Sequence, residues 1–290
     1  MKSCGAGSLP ADGRGMRSWD ELAGAALPAR TLSLPENRLM TAAIEFRGVS
    51  FATAQGKLLL DRISLTVEAG TITAILGRSG SGKTTLMRTV NRMVEPTGGE
   101  VLVAGNPVRD SSLIPLRRGM GYVIQETGLF PHFSIERNVA LVLEAENRPR
   151  DEKIRRSHEL LSAVGLDPAS FAHRYPHQLS GGQRQRVGLA RALAAEPKIL
   201  LMDEPFGALD PLTRAEMQDM LRDLMARLKK TVLLVTHDLD EALYLADQIV
   251  LLEQGKLIAR LAPAEFLRAR EPEIVSYISA FHRGEKAKVV

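Results

Sequence analysis

Cysteine is nearly absent: Cys4 alone stands in 290 residues. An internal disulfide and a cysteine-built metal cluster are thereby excluded. Long apolar runs are also missing. A membrane-crossing helix needs roughly 20 predominantly apolar residues, and the longest runs here, such as TVLLV from Thr231 and QIVLL from Gln248, have the length of strands. A membrane role would therefore need a separate partner chain. The first forty residues hold no unbroken apolar core of the kind a secretory signal needs. No basic block is interleaved with aromatics, so the formal net charge of +4 reads as ordinary solvated lysine and arginine, with no nucleic-acid partner implied. No internal repeat is present.

What remains is the composition of a soluble globular protein, 44% hydrophobic and 25% charged, long enough for one or two domains. Residues 1–40 carry scattered Gly, Pro, Ser and Arg without a sustained period. They read as a disordered extension with a short helix around Trp19–Ala26. Met40 directly precedes the first clear strand and is an alternative start of translation. From Ile44 the pattern becomes regular. Strands are predicted at 44–49, 63–67, 72–76, 101–104, 120–124, 198–202, 231–235, 248–252 and 256–261, and helices at 83–93, 151–164, 182–195, 212–228 and 239–246. Early strands lie close together and later ones alternate with helices. The fold class is therefore α/β, a mixed parallel core sheet with an antiparallel edge portion. Residues 134–180 have helical periodicity and read as a helical insertion within a core domain of 41–262. Residues 263–290 form a tail with one helix and a charged end.

Between the strand TITAIL and the helix that follows lies GRSGSGKTT, Gly77 to Thr85. Its spacing fits G-x-x-x-x-G-K-[ST] in the strand-to-helix context that this phosphate loop requires. Glycines let backbone N–H groups converge, and the helix start adds partial positive charge. The loop residues Gly77, Arg78, Ser79, Gly80, Ser81 and Gly82 lead to Lys83, Thr84 and Thr85. The Gly80–Thr84 amides are expected to cradle the phosphates, with Lys83 on the β and γ oxygens, the Thr84 hydroxyl on Mg²⁺ and Thr85 near the α-phosphate.

Such a site needs a carboxylate. KILLMDEP, from Lys198, is an apolar strand that ends in Asp203 and Glu204, at the end of a parallel sheet where ligands bind. Asp203 is expected to hold Mg²⁺ through water and Glu204 to act as general base. TVLLV ends in Thr236, His237 and Asp238, which puts His237 in reach of a γ-phosphate. A second phosphate-binding helix start is LSGGQRQR, where Ser180 is a fitting N-cap before Gly181, Gly182 and Gln183. Two such devices need not serve one nucleotide in one chain. Facing them across a dimer resolves this, each nucleotide lying between one copy's phosphate loop and the other's SGGQ.

Together these residues resemble the ATP-binding cassette (ABC) ATPases over about Ile44 to Leu261. GRSGSGKT is similar to their Walker A, ILLMDEP to their Walker B and LSGGQ to their signature. Gln125 in YVIQETGLFP matches the Q-loop, ALD with Asp210 the D-loop, and His237 the switch histidine. The resemblance implies a P-loop NTPase of ABC type with an antiparallel subdomain and an inserted α-helical subdomain. It further implies two ATP molecules in a head-to-tail dimer, Mg²⁺ near Thr84, Gln125 and Asp203, and trans contacts from Ser180–Gln183 and Asp210. The helical insertion would meet transmembrane permease subunits, with coupling through Gln125 and the groove around Glu126–Ser134. The chain would sit peripherally on the cytoplasmic face of the inner membrane, and a binding protein would deliver the solute. The aromatic that stacks on adenine in this family is missing: its place holds Thr53, with Phe51 two residues earlier. RRGMGYVIQETGLFPHFSIERNVALV and MDEPFGALDPLTR resemble importers of osmoprotectants and quaternary amines such as glycine betaine, choline and carnitine. Many such subunits carry a pair of C-terminal regulatory repeats; the residues after the cassette are too few for that pair by ordinary domain size, so ionic-strength sensing of that sort is not expected. Importers of other solutes and lipid-trafficking ATPases remain alternatives. A soluble cassette of DNA repair or translation lacks its coiled coil, zinc cysteines or second cassette. A dead regulatory module conflicts with the intact Lys83, Asp203, Glu204 and His237.

Overall fold

The computed structural model describes residues 42–286. The expectations for residues 1–40, the helix at 19–26 and the last four residues lie outside the described residues.

The first strands are longer than predicted. β1 runs Ala42–Ala52 and β2 Leu58–Glu68, an antiparallel pair joined by a turn. Register shifts between them, at Phe46/Val49 and Val49/Phe51, break the alternation in the sequence. Gly98–Val103 (β4) and the short Asn106–Pro107 (β5) complete a separate four-stranded antiparallel sheet in the order β2-β1-β4-β5. The antiparallel portion is a sheet of its own, the antiparallel subdomain expected beside the core sheet.

The second sheet contains Ile72–Leu76 (β3), Met120–Val123 (β6), Ile199–Asp203 (β7), Thr231–Val235 (β8), Gln248–Glu253 (β9) and Lys256–Leu261 (β10), in the order β10-β9-β3-β8-β7-β6. All neighbours are parallel except β9 and β10. β3, β7 and β8 are buried at every residue, as expected of parallel strands covered on both faces. Alternate residues divide between two cores. Ala74, Leu76, Leu200, Met202, Val232 and Leu234 face one; Ile75, Leu201, Leu233 and Val235 face the other. The first core is roofed by helices, including Gly181–Leu193 and Pro211–Leu228; the second is closed by β1, β2 and the helix Lys83–Val90. Each leucine fully buried there contributes roughly 1.5–3 kcal/mol.

The helices, in chain order, are α1 (Lys83–Val90), α2 (Leu113–Arg118), α3 (Ile135–Ala145), α4 (Arg150–Ala163), α5 (Pro168–Phe171), α6 (Gly181–Leu193), α7 (Pro211–Leu228), α8 (Leu239–Leu245), α9 (Pro263–Arg268) and α10 (Pro272–Lys286). Helices α3, α4 and α5 lie within residues 134–180, where the structure has no strand. Five helix starts among the described residues carry side-chain caps: Ser134 for α3, Asp167 for α5, Ser180 for α6, Asp210 for α7 and Asp238 for α8. The tail holds two helices where one was predicted. Pro272 at the start of α10 sets it apart from α9. Phe266 and Ile274, both fully buried, join the tail to the first core.

Candidate active site

Register brings the site together. Val235, last residue of β8, pairs with Ile75 of β3 on one side and with Asp203 of β7 on the other. The segments that leave these strands, Gly77–Gly82, Glu204 and Thr236–His237, therefore start at one level at the C-terminal edge of the sheet.

The first segment is the glycine loop. Arg78, Ser79 and Gly80 at its tip are exposed, whereas Ser81 and Lys83 are buried. A side chain on Gly77 would strike the Leu252 carbonyl, and one on Gly82 (φ 101°) would lie 2.7 Å from the Leu59 carbonyl; only glycine permits this wrap. The Lys83 Nζ donates to the carbonyls of Gly77 (2.8 Å) and Arg78 (3.0 Å). Two of its three N–H donors thus brace the loop, and the third is left for a ligand oxygen. Burial holds the Lys83 ammonium below the usual lysine range, opposed by the charges of Glu204 and Asp203. Thr84 and Thr85 lie in the first turn of α1.

Two carboxylates close the site. In an extended strand Asp203 and Glu204 would face opposite sides. Glu204 instead adopts left-handed backbone (φ 46°), its N–H held by the Val235 carbonyl at 2.9 Å. Asp203 Oδ1 accepts from the Thr84 hydroxyl at 2.8 Å, while Glu204 Oε2 lies 3.2 Å from His237 Nδ1. The hydroxyl and carboxylate at Thr84 and Asp203 are hard oxygen donors brought together, a set that fits Mg²⁺. Gln125 follows β6 in an exposed loop, its Nε2 3.3 Å from where a Cβ on Gly207 would stand, beside the Glu204 turn.

Ser180, Gly181, Gly182 and Gln183 are not part of this group. Ser180 Oγ accepts from Gln183 N–H at 3.2 Å, and Gln183 Oε1 accepts from Ser180 N–H at 3.0 Å, a reciprocal cap. They make no hydrogen bond to the Lys83–His237 group among the described residues. Asp210 caps α7 through Thr213 N–H at 3.0 Å; the Thr213 side chain first, and then this backbone bond, hold its carboxyl below the usual aspartate range. Thr53 closes the β1–β2 turn through a bond between its N–H and the Lys57 carbonyl, and Phe51 packs against the second core.

Four residues near the site were not singled out from sequence. Arg88 lies 3.7 Å from Asp203 Oδ2; its place one helical turn after Thr84 is the signal that could have found it. Arg214 donates to the Leu209 carbonyl (3.2 Å) and to Asp238 (3.3 Å), tying the Asp210 turn to the segment after His237. Tyr277 reaches the His237 backbone from α10. Glu241, buried beneath the His237 turn, accepts from the Thr236 hydroxyl at 2.5 Å. Burial raises the Glu241 carboxyl to about 7 from 4.5, aided by the charges of Asp238 and Glu204 and opposed by the Thr236 bond and by Arg214. The unfolded chain ionises from about pH 4.5 while the folded one keeps this proton until about 7, so the stability present at low pH is lost as pH rises through that window. The loss is at most about 3 kcal/mol. Urea unfolding at a series of pH values is expected to show Glu241→Gln gaining on wild type between pH 5 and 8; parallel curves would contradict it.

The comparisons with known proteins bear on this geometry. The family model described as ABC transporter matches residues 60–207.

The chain belongs to the ABC transporter family.

Among its relatives is the choline transport ATP-binding protein OpuBA of Bacillus subtilis (strain 168), 44% identical over 232 residues, which are 80% of this chain and 61% of that protein. The glycine betaine uptake system ATP-binding protein YehX of Escherichia coli (strain K12) is 46% identical over 224 residues, 77% of this chain and 72% of that protein. This ABC transporter chain thus spans about three fifths of the length of the first of these curated relatives. Among solved structures, cbiO1 of Clostridium perfringens, part of the ABC transporter complex cbiONQ, superposes with a TM-score of 0.74 at 27% identity, covering 86% of this chain and 100% of that one. The dimeric bacterial ABC transporter cassette MJ0796 superposes at 0.68 with 33% identity, covering 76% and 98%. The antiparallel sheet beside a mainly parallel sheet is therefore the ABC cassette fold. Among the described residues no helix is long and apolar enough to cross a membrane.

Proposed function

We propose that the chain is the ATP-binding and ATP-hydrolysing subunit of a bacterial importer for quaternary-amine osmoprotectants such as glycine betaine. The observation that carries the ATPase reading is the convergence of Lys83, the Thr84–Asp203 pair and the Glu204–His237 pair at the ends of three adjacent parallel strands.

The phosphate chain of ATP lies along the Gly77–Gly82 loop, with the Gly80–Thr84 amides and Lys83 on its oxygens. Glu204 takes a proton from water as it attacks the γ-phosphorus, and ADP leaves. His237, oriented by Glu204, donates to the γ-phosphate oxygens as charge develops there. Thr84, Asp203 and Gln125 would hold Mg²⁺, which would supply positive charge to the phosphates. Ser180, Gly181, Gly182, Gln183 and Asp210 act in trans, on the nucleotide held by a second copy. Ser180, Gly181 and Asp210 are exposed, and the caps of Ser180 and Asp210 are made within their own helix starts, which supports that reading.

The remaining partners are transmembrane permease subunits and, through them, a substrate-binding protein, with the chain peripheral at the cytoplasmic face of the inner membrane. An apolar groove beside the helical insertion, lined by Ile114, Tyr122, Phe130, Leu141 and Val142, supports docking of a membrane subunit there. The amine class is supported by the transport functions of the choline and glycine betaine relatives. Phosphate release from Mg-ATP by the purified chain tests the enzyme. Uptake of labelled glycine betaine into vesicles that carry the chain with the membrane subunits encoded beside it tests the substrate class. Hydrolysis without uptake of any quaternary amine would overturn that class alone.

A further inference from the structure

The tail helix α10 enters the site. Ile274, Tyr277, Ile278 and Phe281 recur at helical spacing and pack on the first core. The neighbouring Ser276 and Glu273 border a small cavity beside Arg78 of the phosphate loop. From this seat the Tyr277 hydroxyl donates to the His237 carbonyl at 3.2 Å. The Tyr277 side chain borders the same cavity as Arg78. It thus stands between the phosphate loop and the turn that presents His237. The bond is to the His237 backbone, and the His237 ring lies 3.2 Å from Glu204 on the other side.

We propose that Tyr277 is a positioning residue for ATP hydrolysis, its hydroxyl holding the His237 turn beside the phosphate loop by the bond to the His237 carbonyl, so that the tail helix sets how the His237 ring meets Glu204 and the γ-phosphate. This rests on the ATPase reading of His237 and Glu204. Tyr277 touches neither nucleotide nor water; it acts through His237. Burial pushes its hydroxyl up to about 12, so it stays protonated, and a donor, throughout the pH range in which turnover is measured. Position 277 lies forty residues beyond His237, so no local motif signals the contact.

Tyr277→Phe in the full chain keeps the ring and removes one oxygen. Its kcat is expected to fall about three- to tenfold, the range that one lost hydrogen bond supports. KM for ATP and mant-ATP affinity stay within about twofold, because the nucleotide keeps all its own contacts. The thermal midpoint stays near that of wild type. In a His237→Ala background the same substitution has no further effect, since no ring remains to be placed. An unchanged kcat, a loss shared with mant-ATP affinity or thermal stability, or a loss that adds fully to that of His237→Ala would overturn the proposal. A readout without turnover separates it from the reading beneath it. The NMR signals of the His237 ring are expected to shift in Tyr277→Phe. If wild type releases no phosphate from ATP, the ATPase reading fails; if the His237 signals do not move, the Tyr277 inference fails, whatever the turnover.

Discussion

Glu204→Gln is expected to bind Mg-ATP like wild type and to lose at least about a hundredfold in turnover. General-base catalysis contributes typically about 10²–10⁴-fold, and the amide cannot accept the proton of the attacking water at neutral pH. The substitution is nearly isosteric. Glu204 sits in left-handed backbone held by the Val235 carbonyl, and glutamine can occupy the same backbone. The amide can still hydrogen-bond His237, so the 3.2 Å contact need not open. Lys83, the loop amides and the Thr84–Asp203 pair are untouched, and binding survives with them. Phosphate release and mant-ATP titration on one preparation check both halves. Near-normal turnover would remove Glu204 from the role of base.

Lys83→Ala is expected to weaken nucleotide binding by about a hundredfold or more. Hydrogen bonds to charged groups are worth about 1.5–3 kcal/mol each, and the ammonium is expected on both β and γ oxygens. The loss has a second source. Lys83 braces the loop through the Gly77 and Arg78 carbonyls, and without it these carbonyls face a polyanion with no cation between. The fold should persist, because the strands behind the loop are held by the two cores. Mant-ATP titration with a thermal melt alongside is the check. Wild-type affinity in a folded variant would contradict the phosphate assignment.

How legible all this was in the sequence depended on burial. β3, β7 and β8 stood out because strands covered on both faces read as unbroken apolar runs, and Lys83, Asp203, Glu204 and His237 follow directly from their ends. Ser180 announced α6 because a capping serine precedes its glycines. The outer sheet was harder. β1 and β2 are eleven residues each, with register shifts between them, and bulges break the alternation on which the reading depends. α2 is six residues with Pro115 inside and no buried side chain, so nothing periodic marked it. The tail was read as one helix although Pro272 marks the start of a second. Arg214 and Tyr277 were invisible for another reason: each acts on backbone carbonyls, partners that every sequence has everywhere. Phe51, left open in the sequence, is partly buried and packs against the second core.

The central claim is that two copies enclose ATP, each nucleotide lying between one copy's phosphate loop and the other's Ser180–Gln183 helix start. Light scattering of Glu204→Gln tests it most directly, since bound ATP then persists unhydrolysed. With Mg-ATP the account predicts a mass twice that of the chain, falling to a single chain without nucleotide and in the Glu204→Gln, Ser180→Arg double variant. A Glu204→Gln protein that stays monomeric with ATP bound, or a dimer untouched by Ser180→Arg, would contradict it.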